Sequence, residues 1–395
     1  MGVHGLKKLL QKYAPTVLQP AKPLSAYRSC RFVIDAAGMM HRYKHAIYNE
    51  KEPYAYLSTI LNQYEQLVSH GIHCTYVFDG KKPLCKQNEM EKRHAKKQRD
   101  HVVYQEKVAA VEAARQLAAA LQQTDQDSAV WMVTNNGGNT TALLSALELQ
   151  QLAENPADVI SALADTAERH QKRIASVTAD DIAALQSLFT FHGVPFMVAT
   201  GEGEKACAWM TRVGLADIVI ADDTDTLAYG ATRVLMHLMS SKYPPIEVSL
   251  EAVLSGLKLD LTHFVDMCIM CGCDFAKVPG IAWGRAYDTI RQNGSFDDII
   301  RKFGSVDAWL QRNAGRQKKS NKKTSKAPVP VSIIQKSSTD ASSSTSTTAT
   351  SDVLSPLPRQ STPVDDMVRE ARREFTVDAV GNVYIDQRPF HMTPL

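Results

Sequence analysis

The chain has 395 residues, 44% of them hydrophobic and 22% charged, enough to bury one large core or two ordinary ones. Its formal charge of +3 is too small to announce a nucleic-acid surface, so such a role must rest on where the charges lie. No apolar run reaches membrane-spanning length, the scattered Cys exclude a disulfide framework and fit a reducing compartment, and Leu6 in place of Ser or Thr breaks an acylation signal at Gly2.

Residues 5–13 read as a short amphipathic helix with Leu6, Leu9 and Leu10 on one side. The strand 31–35 ends in Asp35, helices follow over 38–49 and 54–70, and a second strand, 74–79, ends in Asp79. From 84 to 123 the sequence is highly charged and free of Gly and Pro, which predicts a long helix. Lys86 and Arg93 are two turns apart there and share a face. After the break at Asn135-Asn136-Gly137-Gly138, helices over 140–152 and 157–175 complete an excursion long enough to form a cap or arch.

Thr178-Ala-Asp-Asp181 is a capping box opening a helix that Gly193 stops. A third strand, 194–198, runs into Gly201-Glu-Gly-Glu204. On one regular helix Glu202 and Glu204 would diverge by about 200°, so to converge they must straddle the change from strand to helix. A helix over 205–213 returns to a fourth strand, Ile218-Val-Ile-Ala, which delivers Asp222, Asp223 and Asp225. The apolar stretch 264–271 ends in Gly272-Cys273-Asp274. Its clustered Cys suit a buried core better than zinc, because no second Cys/His pair follows. Residues 278–286 form a tight turn opening a helix, with backbone N–H groups suited to phosphate, and another helix spans 296–303. The basic run 316–326 and the Ser/Thr-rich 336–351 cannot bury a core, so 315–364 is expected to be disordered. A short helix, 364–375, and a β-like pair around Gly381-Asn382 close the chain.

Seven acids thus lie at or beyond the ends of apolar elements: Asp35, Asp79, Glu202, Glu204, Asp223, Asp225 and Asp274. Each alone reads as a turn or cap residue. Their coincidence across one α/β pattern suggests a single site, because open sheets bind ligands beyond the carboxyl ends of their strands. Gathered carboxylates cannot all stay ionised without compensation. Oxygen-only ligation selects Mg²⁺ or Mn²⁺ over zinc, and two such ions can activate a water and stabilise the leaving oxygen of a phosphodiester.

The chain resembles the structure-specific 5′ nucleases, which comprise flap endonucleases, XPG-type nucleases and related 5′ exonucleases. The match points are Met-Gly-Val-His-Gly-Leu at the start, Val77-Phe-Asp-Gly80, Gly201-Glu-Gly-Glu204, Asp222-Asp-Thr-Asp225, Gly272-Cys-Asp274 and Pro279-Gly-Ile281 with Arg285-Ala286. They cover roughly residues 1–305 in the family's order and spacing. The resemblance implies an α/β fold of the PIN/5′-nuclease kind, a mostly parallel central sheet flanked by helices. It divides the chain into nuclease regions at 1–83 and 177–275, a helical gateway and cap at 84–176, a helix–two-turn–helix at 276–314, the linker 315–364 and a segment of unassigned role, 365–395.

The resemblance also implies two Mg²⁺ ions, with Mn²⁺ as a substitute, held by the seven acids. Lys86 and Arg93 would act catalytically on the scissile phosphate. DNA contacts are implied at Gly2, His41, Lys86, Arg93, Gly280, Gly284 and Arg285, with a K⁺ ion at the helix–two-turn–helix. Three departures stand out. His41 stands where flap endonucleases carry an end-stacking Tyr and exonucleases a His. Ala282 replaces the turn's second Gly, and Gly203 replaces the usual Ala between the glutamates. The expected function is Mg²⁺-dependent cleavage of DNA at 5′ flaps or ends in replication or repair. The alternatives are a 5′→3′ double-strand exonuclease and a catalytically impaired DNA-end binder, the latter opposed by the seven intact acids. No sliding-clamp motif is found. Branched or end-containing duplex DNA is the expected partner, and a nuclear monomer with no membrane association is expected, the basic run 316–326 serving as localisation signal or DNA tether.

Overall fold

The computed structural model describes residues 2–48, 52–81, 86–123, 144–238, 240, 242–321 and 362–375. Among the described residues seven strands, β1 (Gln19–Pro20), β2 (Arg31–Asp35), β3 (His73–Phe78), β4 (Phe196–Val198), β5 (Ile218–Ile220), β6 (Arg233–Met236) and β7 (Ile246–Ser249), form one sheet in the order β1-β7-β6-β5-β2-β3-β4. The pairs β2–β3, β2–β5, β3–β4 and β5–β6 are parallel, and β7 pairs antiparallel with β6 and β1. The expected mostly parallel sheet is therefore present, with β6, β7 and β1 added to the four predicted strands.

Alternation along the strands makes two cores. Val33, Val77, Val219, Val234 and Val248 point to one face, against Leu6, Leu9, Leu10 and the apolar helix Leu261–Cys271. Phe32, Ile34, Tyr76, Phe78, Ile218 and Ile220 point to the other, against Tyr56, Ile60, Leu185 and Phe189. A strand buried on both faces reads as a continuous apolar run, which is why these parallel strands stand out in the sequence.

The helices fall close to their predicted bounds. Thr178 caps Ala179–His192 through a capping box with Asp181, and Gly193 ends it at φ 66°. The helix Gln87–Gln123 has 37 residues, about 55 Å of rise, and packs on Pro156–Ile174 over a small core of its own around Ala110, Ala114, Leu152 and Leu163. The helix Val306–Asn321 runs past residue 315, where a disordered linker was expected to begin, and most of the rest of that expected linker lies outside the described residues. The expected β-like pair at 381–382 lies outside the described residues. The helix Pro363–Phe375 returns to the body of the protein, burying Val368, Ala371 and Phe375. Among the described residues no helix is long and apolar enough to cross a membrane.

Candidate active site

The strand order reverses between β2 and β5, and the acids collect beyond the carboxyl ends at that point. A small cleft there is lined by Asp35, Gly38, Met39, Ile220, Ala221 and Asp222. Asp35 is the last residue of β2 and at once the N-cap of Ala36–Ile47, accepting from the Ala37 and Gly38 N–H groups at 3.1 and 3.0 Å. Gly38 makes that close cap feasible: a Cβ on it would lie 2.4 Å from Asp35 Oδ2. Asp79 directly follows β3 and accepts from the Gly203 N–H at 2.8 Å.

Glu202 is the N-cap residue of the helix Gly203–Arg212 and Glu204 sits in its first turn. The strand-to-helix change predicted between them is what lets both converge. Asp225 opens the short helix Asp225–Ala228. Asp274 follows the helix Leu261–Cys271, whose terminal loop is stitched to the N-terminal segment by His4 N–H donating to Gly272 O at 2.8 Å. Gly2, at φ 90°, lies so close to Asp223 that a Cβ would overlap its carboxylate.

The acids feel one another. Burial pushes the Asp35 carboxyl up to about 7, and the Asp79 charge adds to it. Burial, then Asp223, Asp35 and Asp225, push Glu204 well above the carboxylate range. Burial, then Asp223 and Asp274, do the same to Asp225, and burial raises Asp223, with Asp274 adding. Asp225 is 2% exposed and its Oδ1 is buried without a hydrogen-bond partner among the described residues.

Two cations face this cluster. Lys86 Nζ contacts Glu202 Oε1 and lies 3.5 Å from Asp274 Oδ2, and Arg93 Nη2 donates to Asp274 Oδ2 at 2.6 Å. Burial alone would lower the Lys86 ammonium, but Glu202, Asp274 and Glu204 outweigh it, so its pKa is raised and the charge retained. Lys86, just before the helix Gln87–Gln123, and Arg93 within it thus both reach Asp274.

Asp222, adjacent to Asp223 in sequence, turns elsewhere. It pairs with Arg42 and accepts from the His237 backbone N–H at 2.6 Å. His41 is exposed on Ala36–Ile47, its ring 6.2 Å from that of His45. Gly280 (φ 72°), Gly284 and Arg285 lie on the turn and first residues of the helix Trp283–Asn293. A Cβ at Gly280 or Gly284 would meet open space, and Arg285 is exposed. Trp283 has a packing role, lying so tightly on Gly5 that a Cβ there would fall 2.4 Å from its ring.

Sequence reasoning missed Tyr229, whose hydroxyl donates to Glu202 Oε2 at 2.5 Å. An aromatic residue with a polar tip, four places after Asp225, was the available signal.

Residues 1–100 match the XPG N-terminal domain and residues 193–274 the XPG I-region. The chain is 29% identical over 334 residues to flap endonuclease 1-B of Physcomitrium patens, covering 80% of this chain and 81% of the relative. It is 27% identical over 331 residues to flap endonuclease 1 of Salmo salar, covering 80% and 73%. These matches support the family of structure-specific 5′ nucleases. The fold agrees: the catalytic core of Rad2 in complex with DNA substrate superposes with a TM-score of 0.50 at 18% identity, over 82% of this chain and 76% of that one. Both halves of the 5′-nuclease motif set, at 1–100 and 193–274, contribute acids to the one cluster, and the long helical excursion separates them in sequence.

Proposed function

We propose that this 5′ nuclease hydrolyses DNA phosphodiesters at 5′ flaps or ends with two Mg²⁺ ions, in replication or repair. The observation that carries the reading is the convergence of acids from separate strand ends on one pocket faced by Lys86 and Arg93. The donor set fits hard divalent cations: all oxygen, crowded with like charge, and including a buried Asp225 oxygen that meets no donor among the described residues. Asp35, Asp79, Glu202, Glu204, Asp223, Asp225 and Asp274 would hold the ions. When bound, they supply Lewis-acid activation of water and stabilisation of the leaving oxygen.

As the side chains stand, no three acids among the described residues are set to grip one ion, and Glu202 and Asp274 are engaged by Lys86 and Arg93. With metal bound, Glu202 and Asp274 would exchange these cations for it, and Lys86 and Arg93 would hold the scissile phosphate and the charge that develops on it. The turn around Gly280, Gly284 and Arg285 would bind duplex phosphates through backbone N–H groups and a K⁺ ion. Ala282 is exposed at the head of that helix, so its methyl narrows the approach. Gly2 packs on Asp223, which supports a DNA contact at this end of the site. The naming of the relatives as flap endonucleases, and of the Rad2 core as bound to DNA substrate, supports DNA as partner. The basic run 316–326 supports a nuclear location.

One observation favours a second reading, 5′→3′ exonuclease action. His41 is exposed on the helix that Asp35 caps, where an imidazole can stack on a terminal base. Flap and recessed-end duplexes labelled at the 5′ end, with and without Mg²⁺, decide between them. Flap cutting gives a labelled oligonucleotide and exonuclease action gives mononucleotides. DNA binding without cleavage in either Mg²⁺ or Mn²⁺ would reduce the chain to an end binder.

A further inference from the structure

The last described helix, Pro363–Phe375, ends beneath the acid pocket. Its hold on the body is strong. Arg372 donates from Nε and Nη2 to both oxygens of Asp266, which is 0% exposed, and from Nη1 to Asp297 at 2.8 Å. Asp365 accepts from the Val306 N–H at 2.9 Å. Near the other end of the helix Phe375 packs in a cluster of three rings, 5.1 Å from Tyr229 and 5.4 Å from Phe275, with Tyr229 and Phe275 6.3 Å apart.

This cluster supports the two groups above it. The Tyr229 hydroxyl donates to Glu202 Oε2, while the other carboxylate oxygen, Oε1, meets Lys86. Lys86 Nζ in turn sits 4.8 Å over the Phe275 ring. Tyr229 is 1% exposed and its ring is wedged between Phe275 and Phe375. Glu202 thus has one partner that is fixed and one, on a flexible four-carbon stem, that can leave.

We propose that Tyr229 is a positioning residue for Glu202, fixing one carboxylate oxygen so that the other faces the pocket, and that Phe375 holds Tyr229 in place. The proposal rests on the nuclease reading given above. It makes the C-terminal helix part of the catalytic apparatus. A hydrogen bond that orients an ion-binding carboxylate is worth about tenfold to a hundredfold in metal affinity or activity.

The test is Tyr229→Phe, which keeps the ring and removes the hydroxyl, in the full-length protein. Mn²⁺ binding without DNA, by electron paramagnetic resonance, and single-turnover flap cleavage are measured together. The expected result is Mn²⁺ affinity and kcat each lowered about tenfold, with KM for DNA and Tm close to wild type. A purely structural Tyr229 would shift Tm and leave Mn²⁺ affinity of the folded protein alone, which overturns the proposal. So does a Tyr229→Phe variant that matches wild type in both readouts. Phe375→Ala should lower kcat in the wild-type background and add nothing to Tyr229→Phe, because it acts through that hydroxyl; additive losses overturn this second half. A wild-type protein that neither binds Mn²⁺ nor cleaves would sink the nuclease reading itself, a result distinct from any of these.

Discussion

Asp181 and Asp225 are equally buried, at 1% and 2% exposed, yet their surroundings are opposite. Asp181 is met by the Lys44 ammonium at 2.5 Å, by the Tyr56 hydroxyl at 3.0 Å and by both the hydroxyl and the backbone N–H of Thr178. Burial pushes its carboxyl up, but these donors outweigh it and hold the group below its ordinary range. Asp225 has Asp223 and Asp274 for neighbours, which the Lys86 charge offsets only in part, and an oxygen that meets no donor among the described residues, and its carboxyl is pushed well up. A fold that supplies Asp181 with a cation could have supplied Asp225 with one. Leaving several acids together undercompensated lowers the stability of the bare protein and is what a site for added cations requires.

The sharpest way to break this contrast is to remove each charge. Asp225→Asn should lower cleavage by about a thousandfold or more while raising metal-free Tm, because a buried repulsion disappears. Asp181→Asn should do the reverse. It strands Lys44, costs about 3–5 kcal/mol, and leaves cleavage by the folded protein near wild type. Thermal melts without metal and single-turnover cleavage read both. Equal destabilisation by the two variants would show that Asp225 is compensated after all.

Lys86 links the two regimes, being a built-in cation whose partners are needed elsewhere. Lys86→Ala should reduce kcat about a hundredfold with affinity for DNA nearly retained, since its charge acts on the phosphate as bonds change. It should also lower metal-free Tm, because Glu202 and Asp274 lose an offsetting charge. A defect confined to affinity would make Lys86 an ordinary backbone contact.

The same contrast has a pH signature. Asp35 titrates at about 7 in the folded protein and Glu204 and Asp225 are also raised, against about 4 for unfolded carboxylates. The folded state then binds more protons, so this contribution is fully present below about pH 4 and is lost as pH rises towards 7. Metal-free Tm should fall across that window, and Mg²⁺ should restore it most at the upper end, where it binds ionised acids. A metal-free Tm that climbs over the same range would contradict the burial of these groups.

The sequence carried much of this because the signals were local. β2, β3 and β5 are apolar runs that end in acids, Thr178 and Asp181 sit at capping-box spacing, and Glu202-Gly-Glu204 forced a strand-to-helix junction. What escaped was set by tertiary contact. β6 and β7 are four residues each and carry Arg233 and Glu247, which pair with each other across the strands. Asp222 reaches Arg42, a partner far away in sequence that no local pattern announces. The Arg372–Asp266 pair spans 106 positions, and no spacing rule connects them.

The mildest change separates geometry from charge. A Cβ on Gly203 would lie 3.1 Å from Asp79 Oδ1, 3.2 Å from Val77 O and 3.6 Å from Asp35 Oδ1. Val77 O belongs to β3 and is fixed by the sheet, so the start of the helix Gly203–Arg212 must give by a few tenths of an ångström. Gly203→Ala should cost about 1 kcal/mol. A displacement of about 1 Å is worth about a hundredfold in rate, so this smaller one should slow cleavage several-fold, through the Gly203–Asp79 hydrogen bond and the placement of Glu202 and Glu204. The charges are untouched, so the fall of metal-free Tm with pH should keep its wild-type slope. Slower cleavage with an altered slope would mean that the methyl had changed the burial of Asp35 or Asp79. An unchanged rate would mean that the pocket tolerates more play than its hydrogen bonds imply.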